Sequence, residues 1–274
     1  MGNKVDVDET DALEYLMGDE QTRIIGLYLE DIRDGRKFLE AAKAAVVKKP
    51  VLLMKGGRTE AGARATASHT ASLAVQNAVF EGAVRQAGMI RVPSIDEFVR
   101  TLRGFLKMPL PLGGRLALVT YSGAQAIMSI DAAVEEGLEV ARFQEETKKR
   151  IARVIATPSK SANPIDLFPD MLAHGFEKTS LEILNALLDD REVDGIIFIS
   201  FANFGEQPYR PIIEGLKGRV HKPVFFSLLG MKKDIEVSAA FLEEHGYPCF
   251  DLPEMAVRVF ARMWQYKRTV SVKV

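Results

Sequence analysis

Residues 50–75 read PVLLMKGGRTEAGARATASHTASLAV, and the rest of the chain is organised around this stretch. It begins with an apolar run over 51–54 that has the length and composition of a short buried strand. The residues after this run are mostly small, which predicts a mobile loop. His69 then stands at the expected start of a helix over about 68–87, where backbone N–H groups converge. Such a histidine is a candidate for phosphorylation, although a solvated loop histidine explains the stretch equally well.

Composition narrows the class of protein. The 274 residues suffice for one large domain or two of ordinary size. The 36 basic and 37 acidic residues nearly balance, which argues against a nucleic-acid surface. No run approaches the roughly 18 apolar residues of a membrane span, and the polar opening MGNKVDVDETD is unlike a signal peptide. The single cysteine, Cys249, fits a reducing compartment, so we expect a cytoplasmic protein with a buried thiol.

Strands and helices alternate along the chain. A strand over 22–30 and a helix over 36–48 precede the central stretch, and a strand over 89–92 and a helix over 95–106 follow it. Five further strands are predicted at 115–121, 138–143, 195–201, 223–228 and 249–252. Strands without internal polar alternation, separated by helices, predict parallel sheets covered on both faces. The predicted fold is therefore α/β, with two flavodoxin-like doubly wound parallel-sheet domains, the first incomplete at its N-terminus.

A linker divides the two domains. Residues 107–114, KMPLPLGG, combine proline and glycine at a density typical of a domain boundary. We expect a partial domain over 1–108, a linker over 109–114 and a complete flavodoxin-like domain over 115–274.

Glu30 ends the strand that precedes the central stretch. Right-handed crossovers make consecutive parallel strands neighbours, so Glu30 and the loop that leads to His69 should emerge at the same carboxyl edge. A carboxylate there could accept the Nδ1 proton of His69 and leave Nε2 free as a nucleophile. A solvated glutamate at a strand end is the alternative interpretation.

The second domain opens with a similar strand-to-helix turn. Ser122, Gly123 and Ala124 follow the strand over 115–121, and the backbone amides of such a turn can hold an anion. One glycine is weak support, because a flavin phosphate loop would look similar. Asn163-Pro164-Ile165-Asp166 is either a structural turn or part of a site. The remaining histidines are scattered without metal-ligand spacing, so no metal site is predicted; they are His174, His221 and His245.

Four stretches together resemble the NDP-forming acyl-CoA synthetases, the superfamily of succinyl-CoA synthetase and ADP-forming acetyl-CoA synthetase. They are YLEDIRDGRKFLEAA at 28–42, KPVLLMKGGRTEAGARATASHTASLA at 49–74, LALVTYSGAQAIMSID at 116–131 and NPID at 163–166. The resemblance implies that His69 is phosphorylated during turnover and that Glu30 orients it. It also implies a phosphate cradle made by two helix N-termini, at Thr70 and Ala71 in one domain and at Ser122, Gly123 and Ala124 in the other.

The implied reaction is acid + CoA + ATP to acyl-CoA + ADP + phosphate, through an acyl phosphate and the phosphohistidine. Family members also have a Rossmann-like CoA-binding domain and an ATP-grasp domain or subunit, and neither is found in this sequence. We therefore expect a part of a longer, split or truncated protein that is inactive alone and binds no cofactor tightly. ATP/ADP, Mg²⁺ and CoA would be used through the partner domains, in an oligomer that binds neither nucleic acid nor a membrane.

The sequence departs from the family at three glycines, since Ala71, Val75 and Ala124 stand where glycine is common. A non-catalytic relative is the alternative function: a ligand-sensing or scaffold module, as in the synthetase-like regions fused to protein acetyltransferases. Retention of His69 and Glu30 favours the enzyme. We also expect the strand over 22–30 to have an unpaired edge that promotes self-association.

Overall fold

The computed structural model describes residues 4, 6–70, 77–155, 157, 161–168, 175–202 and 205–273, and for 66–70 and 273 the backbone alone. The chain forms two compact units, the first comprising Met1–Leu106 with Gln265–Val274 and the second comprising Lys107–Trp264. The division between them falls beside the proline-rich segment. At the carboxyl end it differs from the expected domain limits, because Gln265–Val274 group with the first unit.

The first unit contains a parallel three-stranded sheet in the order β1-β2-β3. Its elements are α1 (Glu9–Gly18), β1 (Ile25–Leu29), α2 (Gly35–Lys48), β2 (Val51–Lys55), α3 (Glu60–Thr70), α4 (Asn77–Ala87), β3 (Ile90–Arg91) and α5 (Ile95–Lys107). The central strand β2 is apolar because both its faces are covered, and Val51, Leu52 and Leu53 are fully buried. Aspartates begin the first two helices: Asp8 caps α1 and Asp34 caps α2.

The loop predicted before residue 68 is wrong over 60–67, because helix α3 begins at Glu60. Small residues permit mobility, but alanine is also the strongest helix former. Thr59 also begins the helix, since its hydroxyl accepts a hydrogen bond from the Gly62 N–H at 3.1 Å. Glu60 adds a negative charge in the first turn, where it interacts favourably with the helix dipole.

The second unit is a doubly wound parallel sheet with the order β5-β4-β7-β8-β9, as the alternating pattern predicted. Its elements are β4 (Arg115–Thr120), α6 (Gly123–Glu135), β5 (Glu139–Val140), α7 (Glu145–Ala152), β6 (Ile165–Asp166), α8 (Phe176–Asp189), β7 (Gly195–Phe201), α9 (Tyr209–Leu216), β8 (Val224–Leu229), α10 (Lys232–Glu244), β9 (Cys249–Phe250) and α11 (Pro253–Lys273). The short strand β6 was not predicted; it pairs with the carboxyl end of β4. Cys249 is buried, as expected.

The last helix supplies residues to both units. Within the first unit, the Tyr266 hydroxyl donates a hydrogen bond to the Val46 carbonyl at 3.2 Å. The ring of Tyr266 meets that of Phe105 edge-on, with centroids 5.7 Å apart. Burial raises the pKa of Tyr266 to about 12. No helix in the described part of the chain, α11 included, is both long and apolar enough to cross a membrane.

Charged side chains close the end of the second unit where β4 and β7 begin. Lys222 is 5% exposed, and its ammonium donates to the carbonyls of Asp190 and Val193 at 2.7 Å each. Burial lowers the pKa of Lys222, and Asp190 partly opposes this shift. Asp189 at the end of α8 pairs with Arg150 and Arg219, each at 2.8 Å. These contacts place positive charge at the carboxyl end of α8, where the helix dipole favours it.

Candidate functional site

Strands β1 and β2 end side by side, as their order along the chain predicted. They pair in parallel, with Leu29 opposite Lys55. Glu30 follows β1 directly and is half-buried. Its Oε1 accepts a hydrogen bond from the Tyr28 hydroxyl at 3.1 Å. A carboxylate therefore stands at the sheet edge from which the chain leads into α3.

The backbone after Glu30 is held by a buried ion-pair cluster. Lys4 Nζ lies 2.7 Å from both Asp31 Oδ1 and Glu9 Oε2. The N–H of Arg33 donates to Glu9 Oε1 at 2.7 Å. Burial lowers the pKa of Lys4, but hydrogen bonds and charge from Asp31 and Glu9 outweigh burial, so its pKa is raised overall. Lys4 therefore stays charged and fixes the turn that begins at Glu30.

Lys55, the last residue of β2, is buried although it is a lysine. It is 3% exposed, and its ammonium donates to the Gly56 carbonyl at 3.0 Å. The same group lies 5.3 Å from the ring centroid of Phe80 on α4, a cation–π contact. Burial lowers the pKa of Lys55, and the nearby charge of Arg91 lowers it further. Lys55 thus connects the exit of β2 to α4, the helix beyond the segment that carries His69.

His69 lies in α3, which begins at Glu60. The predicted helix start at about residue 68 is therefore wrong, and His69 lies beyond the first turn, where a helix has its free N–H groups. The side chains of His69 and Thr70, and all of Ala71, lie outside the described residues. The assignment of these three residues to a phosphoryl site stays a prediction.

In the second unit, the turn after β4 is built as the sequence suggested. Tyr121 is buried and anchors the turn, donating its N–H to the Ile199 carbonyl at 3.1 Å. Ser122 precedes α6 without a hydrogen bond from its side chain to the helix. Gly123 and Ala124 are exposed in the first turn of α6. Solvent therefore reaches the amino end of α6, so an anion could approach the backbone N–H groups there.

The NPID segment divides into two parts with different surroundings. The Asn163 side chain donates to the carbonyls of Leu116 and Ala141, at 2.8 and 3.0 Å, and so joins β4 to the residue after β5. Asp166 lies beside the turn after β4, with Oδ2 3.6 Å from the position that a Cβ on Gly123 would take. A carboxylate there opposes the binding of a second anion. Asn163 is thus structural, and Asp166 borders the proposed phosphate turn.

The structure adds two residues to the predicted set at the edge of the first unit. Tyr28 could have been found from the sequence, because residues two apart on a strand share one face. The buried contacts of Lys55 had no sequence signal, since a lysine at a strand end usually extends into solvent.

Comparison with known proteins reveals the family. Residues 1–105 match the succinyl-CoA ligase like flavodoxin domain. The chain is 35% identical, over 98% of its length, to the acetate–CoA ligase [ADP-forming] II of Archaeoglobus fulgidus, and covers 40% of that protein. It is 33% identical, again over 98% of its length, to subunit alpha of the acetate–CoA ligase [ADP-forming] I of Pyrococcus furiosus, and covers 58% of that subunit.

Solved structures agree with these relatives. The chain resembles the dinucleotide forming acetyl-coenzyme A synthetase 1 of Ca. Korarchaeum cryptofilum, solved in complex with phosphate and ADP, with a TM-score of 0.87 and 27% identity. The match covers 97% of this chain and 57% of that one. The chain thus spans between about two fifths and three fifths of these relatives, and over that span it is a member of the NDP-forming acyl-CoA synthetase family.

Proposed function

We propose that the chain is the part of an NDP-forming acyl-CoA synthetase that carries the phosphoryl group, with His69 as the carrier. The observation that carries the proposal is the position of Glu30 at the edge from which β2 leads towards His69. Relatives that match nearly the whole chain are ADP-forming acetate–CoA ligases, which supports the same reaction here.

The proposed reaction has three balanced steps. His69 Nε2 attacks the γ-phosphorus of ATP, so that a P–N bond forms, a P–O bond breaks and ADP leaves. The carboxylate of the acid then takes the phosphoryl group, giving an acyl phosphate and free histidine. The thiolate of CoA attacks the acyl carbon and releases phosphate. Glu30 accepts the hydrogen bond of Nδ1–H and stabilises the imidazole in the tautomer that leaves Nε2 free.

Other parts of the enzyme would supply nucleotide and CoA in this proposal. We infer that a CoA-binding domain and an ATP-grasp domain or subunit act with this chain, and that Mg²⁺ enters with the nucleotide. The turn of Ser122, Gly123 and Ala124 would contact the phosphoryl group through backbone amides.

Phosphorylation of the chain by small donors tests the carrier role without the partner domains. We expect acetyl phosphate or potassium phosphoramidate to label His69 with an acid-labile, base-stable phosphoryl group, located by mass spectrometry of peptides. The His69→Asn variant should lose this label, and His245→Asn in the second unit is the matched control that should keep it. Absence of label at His69 with both donors, or label that persists in the peptide containing His69→Asn, would overturn the proposal.

A further inference from the structure

Tyr28 and Glu30 form a pair on one face of β1. Side chains alternate along the strand, so that Ile25, Leu27 and Leu29 are buried and Tyr28 points the other way, 48% exposed. Glu30 continues the same alternation. The Tyr28 hydroxyl lies 3.1 Å from Glu30 Oε1, within hydrogen-bond distance.

Gly56 provides the space that this pair occupies. Its N–H donates to the Leu29 carbonyl at 2.9 Å, which holds the exit of β2 against the end of β1. A Cβ on Gly56 would lie 2.7 Å from the Tyr28 hydroxyl oxygen and 3.1 Å from Glu30 Cγ. Both side chains therefore pack over the backbone of the segment that leads into α3.

The direction of the hydrogen bond is fixed at neutral pH. Partial burial raises the pKa of Tyr28, and the adjacent Glu30 carboxylate raises it further, so the phenol keeps its proton. The phenol therefore donates and the carboxylate accepts. The bond uses Oε1, and Oε2 of the same carboxylate can accept from a second donor such as an imidazole N–H.

We propose that Tyr28 is a positioning residue: its hydroxyl holds the Glu30 carboxylate in the orientation from which Glu30 acts on His69. This inference rests on the proposed phosphohistidine function. Tyr28 does not touch the reacting atoms; it restricts the rotamers of Glu30, and so lowers the entropy that Glu30 loses when it orients the imidazole.

A double-mutant cycle separates this role from a structural one. The rate of His69 phosphorylation by potassium phosphoramidate is measured by peptide mass spectrometry for wild type, Tyr28→Phe, Glu30→Gln and the double variant. We expect Tyr28→Phe to lower the rate about five- to tenfold, the net value of an ordinary hydrogen bond, because this bond is exposed to solvent. In the Glu30→Gln background the same change should alter the rate less than about twofold, because Tyr28 acts through Glu30.

Tyr266→Phe is the matched control, since it removes a tyrosine hydroxyl with a 3.2 Å hydrogen bond from the same unit. It should leave the rate of His69 phosphorylation unchanged, and thermal unfolding shows that each variant is folded at the assay temperature. Wild-type rates in Tyr28→Phe, or an equal loss in both backgrounds, would overturn the positioning role. Failure of wild type to phosphorylate at His69 would instead overturn the function on which it rests.

Discussion

Asn163 Oδ1 accepts a hydrogen bond from the Leu118 N–H at 2.9 Å, so a loop side chain completes the hydrogen bonding of a central strand. The amide group of the same side chain bonds two carbonyls. We expect Asn163→Ala to lower the free energy of unfolding by about 2–3 kcal/mol, because it leaves buried strand groups unpaired. Denaturant titration measures this loss. Asn163→Asp keeps the acceptor but removes both donors, so it should also be destabilising. If either variant were as stable as wild type, these three hydrogen bonds would not contribute to stability.

Gly56→Ala should affect labelling more than stability. The added methyl group displaces the Tyr28 hydroxyl and Glu30, which are flexible enough to limit the stability cost to about 1 kcal/mol. With this pair displaced, phosphoramidate should phosphorylate His69 several-fold more slowly. Gly82→Ala is the control, because a Cβ on Gly82 meets nothing within 4 Å. Equal labelling rates in the two variants would show that the space at Gly56 does not matter.

Lys222→Met should destabilise the second unit. The substitution keeps the length of the side chain but removes the donors to the carbonyls at the end of α8. We expect a loss of about 2 kcal/mol in the free energy of unfolding. Leaving the buried carbonyls unpaired should cost more than is gained by no longer burying an ammonium group. Urea unfolding followed by tryptophan fluorescence reports on this unit through Trp264. A stability at or above that of wild type would show that burial of the charge dominates.

The ion pairs of Asp189 with Arg150 and Arg219 predict that the stability of the second unit depends on pH. Burial raises the pKa of Asp189, but hydrogen bonds from Arg150 and Arg219 outweigh burial, so its pKa lies below 3.8. Unfolding would raise that pKa to its ordinary value, so the stabilisation is complete above pH 3.8 and is lost as pH falls through the folded-state pKa. Asp189→Asn should cost about 1 kcal/mol at pH 7 and should weaken the fall in stability below pH 4. The same acid slope in wild type and Asp189→Asn would contradict this assignment.

Hydrogen exchange should distinguish the two edges of β1. The amides of Ile25, Leu27 and Leu29 face β2. Those of Gly26 and Tyr28 face the opposite side, where no strand of the described residues pairs with β1. We expect Gly26 and Tyr28 to exchange far faster than residues of β7, which has a paired strand on each side. Comparable protection of Tyr28 and Phe198 would mean that a second chain or segment covers this edge.

Much of the fold could be predicted because buried parallel strands are continuous apolar runs. The apolar run over 195–201 coincides with the bounds of strand β7. Glu30 lies at the predicted sheet edge because right-handed crossovers make consecutive parallel strands neighbours. Residues 60–67 of α3 were predicted as a loop because alanine fits both a mobile loop and a helix. The strand β6 was missed because two residues carry no periodicity and its pairing depends on a tertiary contact, the bridge made by Asn163.

The contribution of α11 to both units has a consequence for synthesis of the chain. Phe105 and Val46 are translated early, but their partner Tyr266 follows the whole of Lys107–Trp264. The ribosome therefore delivers every residue of the second unit before the first unit can close around its last helix. A chain shortened after Trp264 would keep every residue of the second unit but lose the Tyr266 contacts of the first unit, so the unit whose residues are made earlier would be the later of the two to complete its packing.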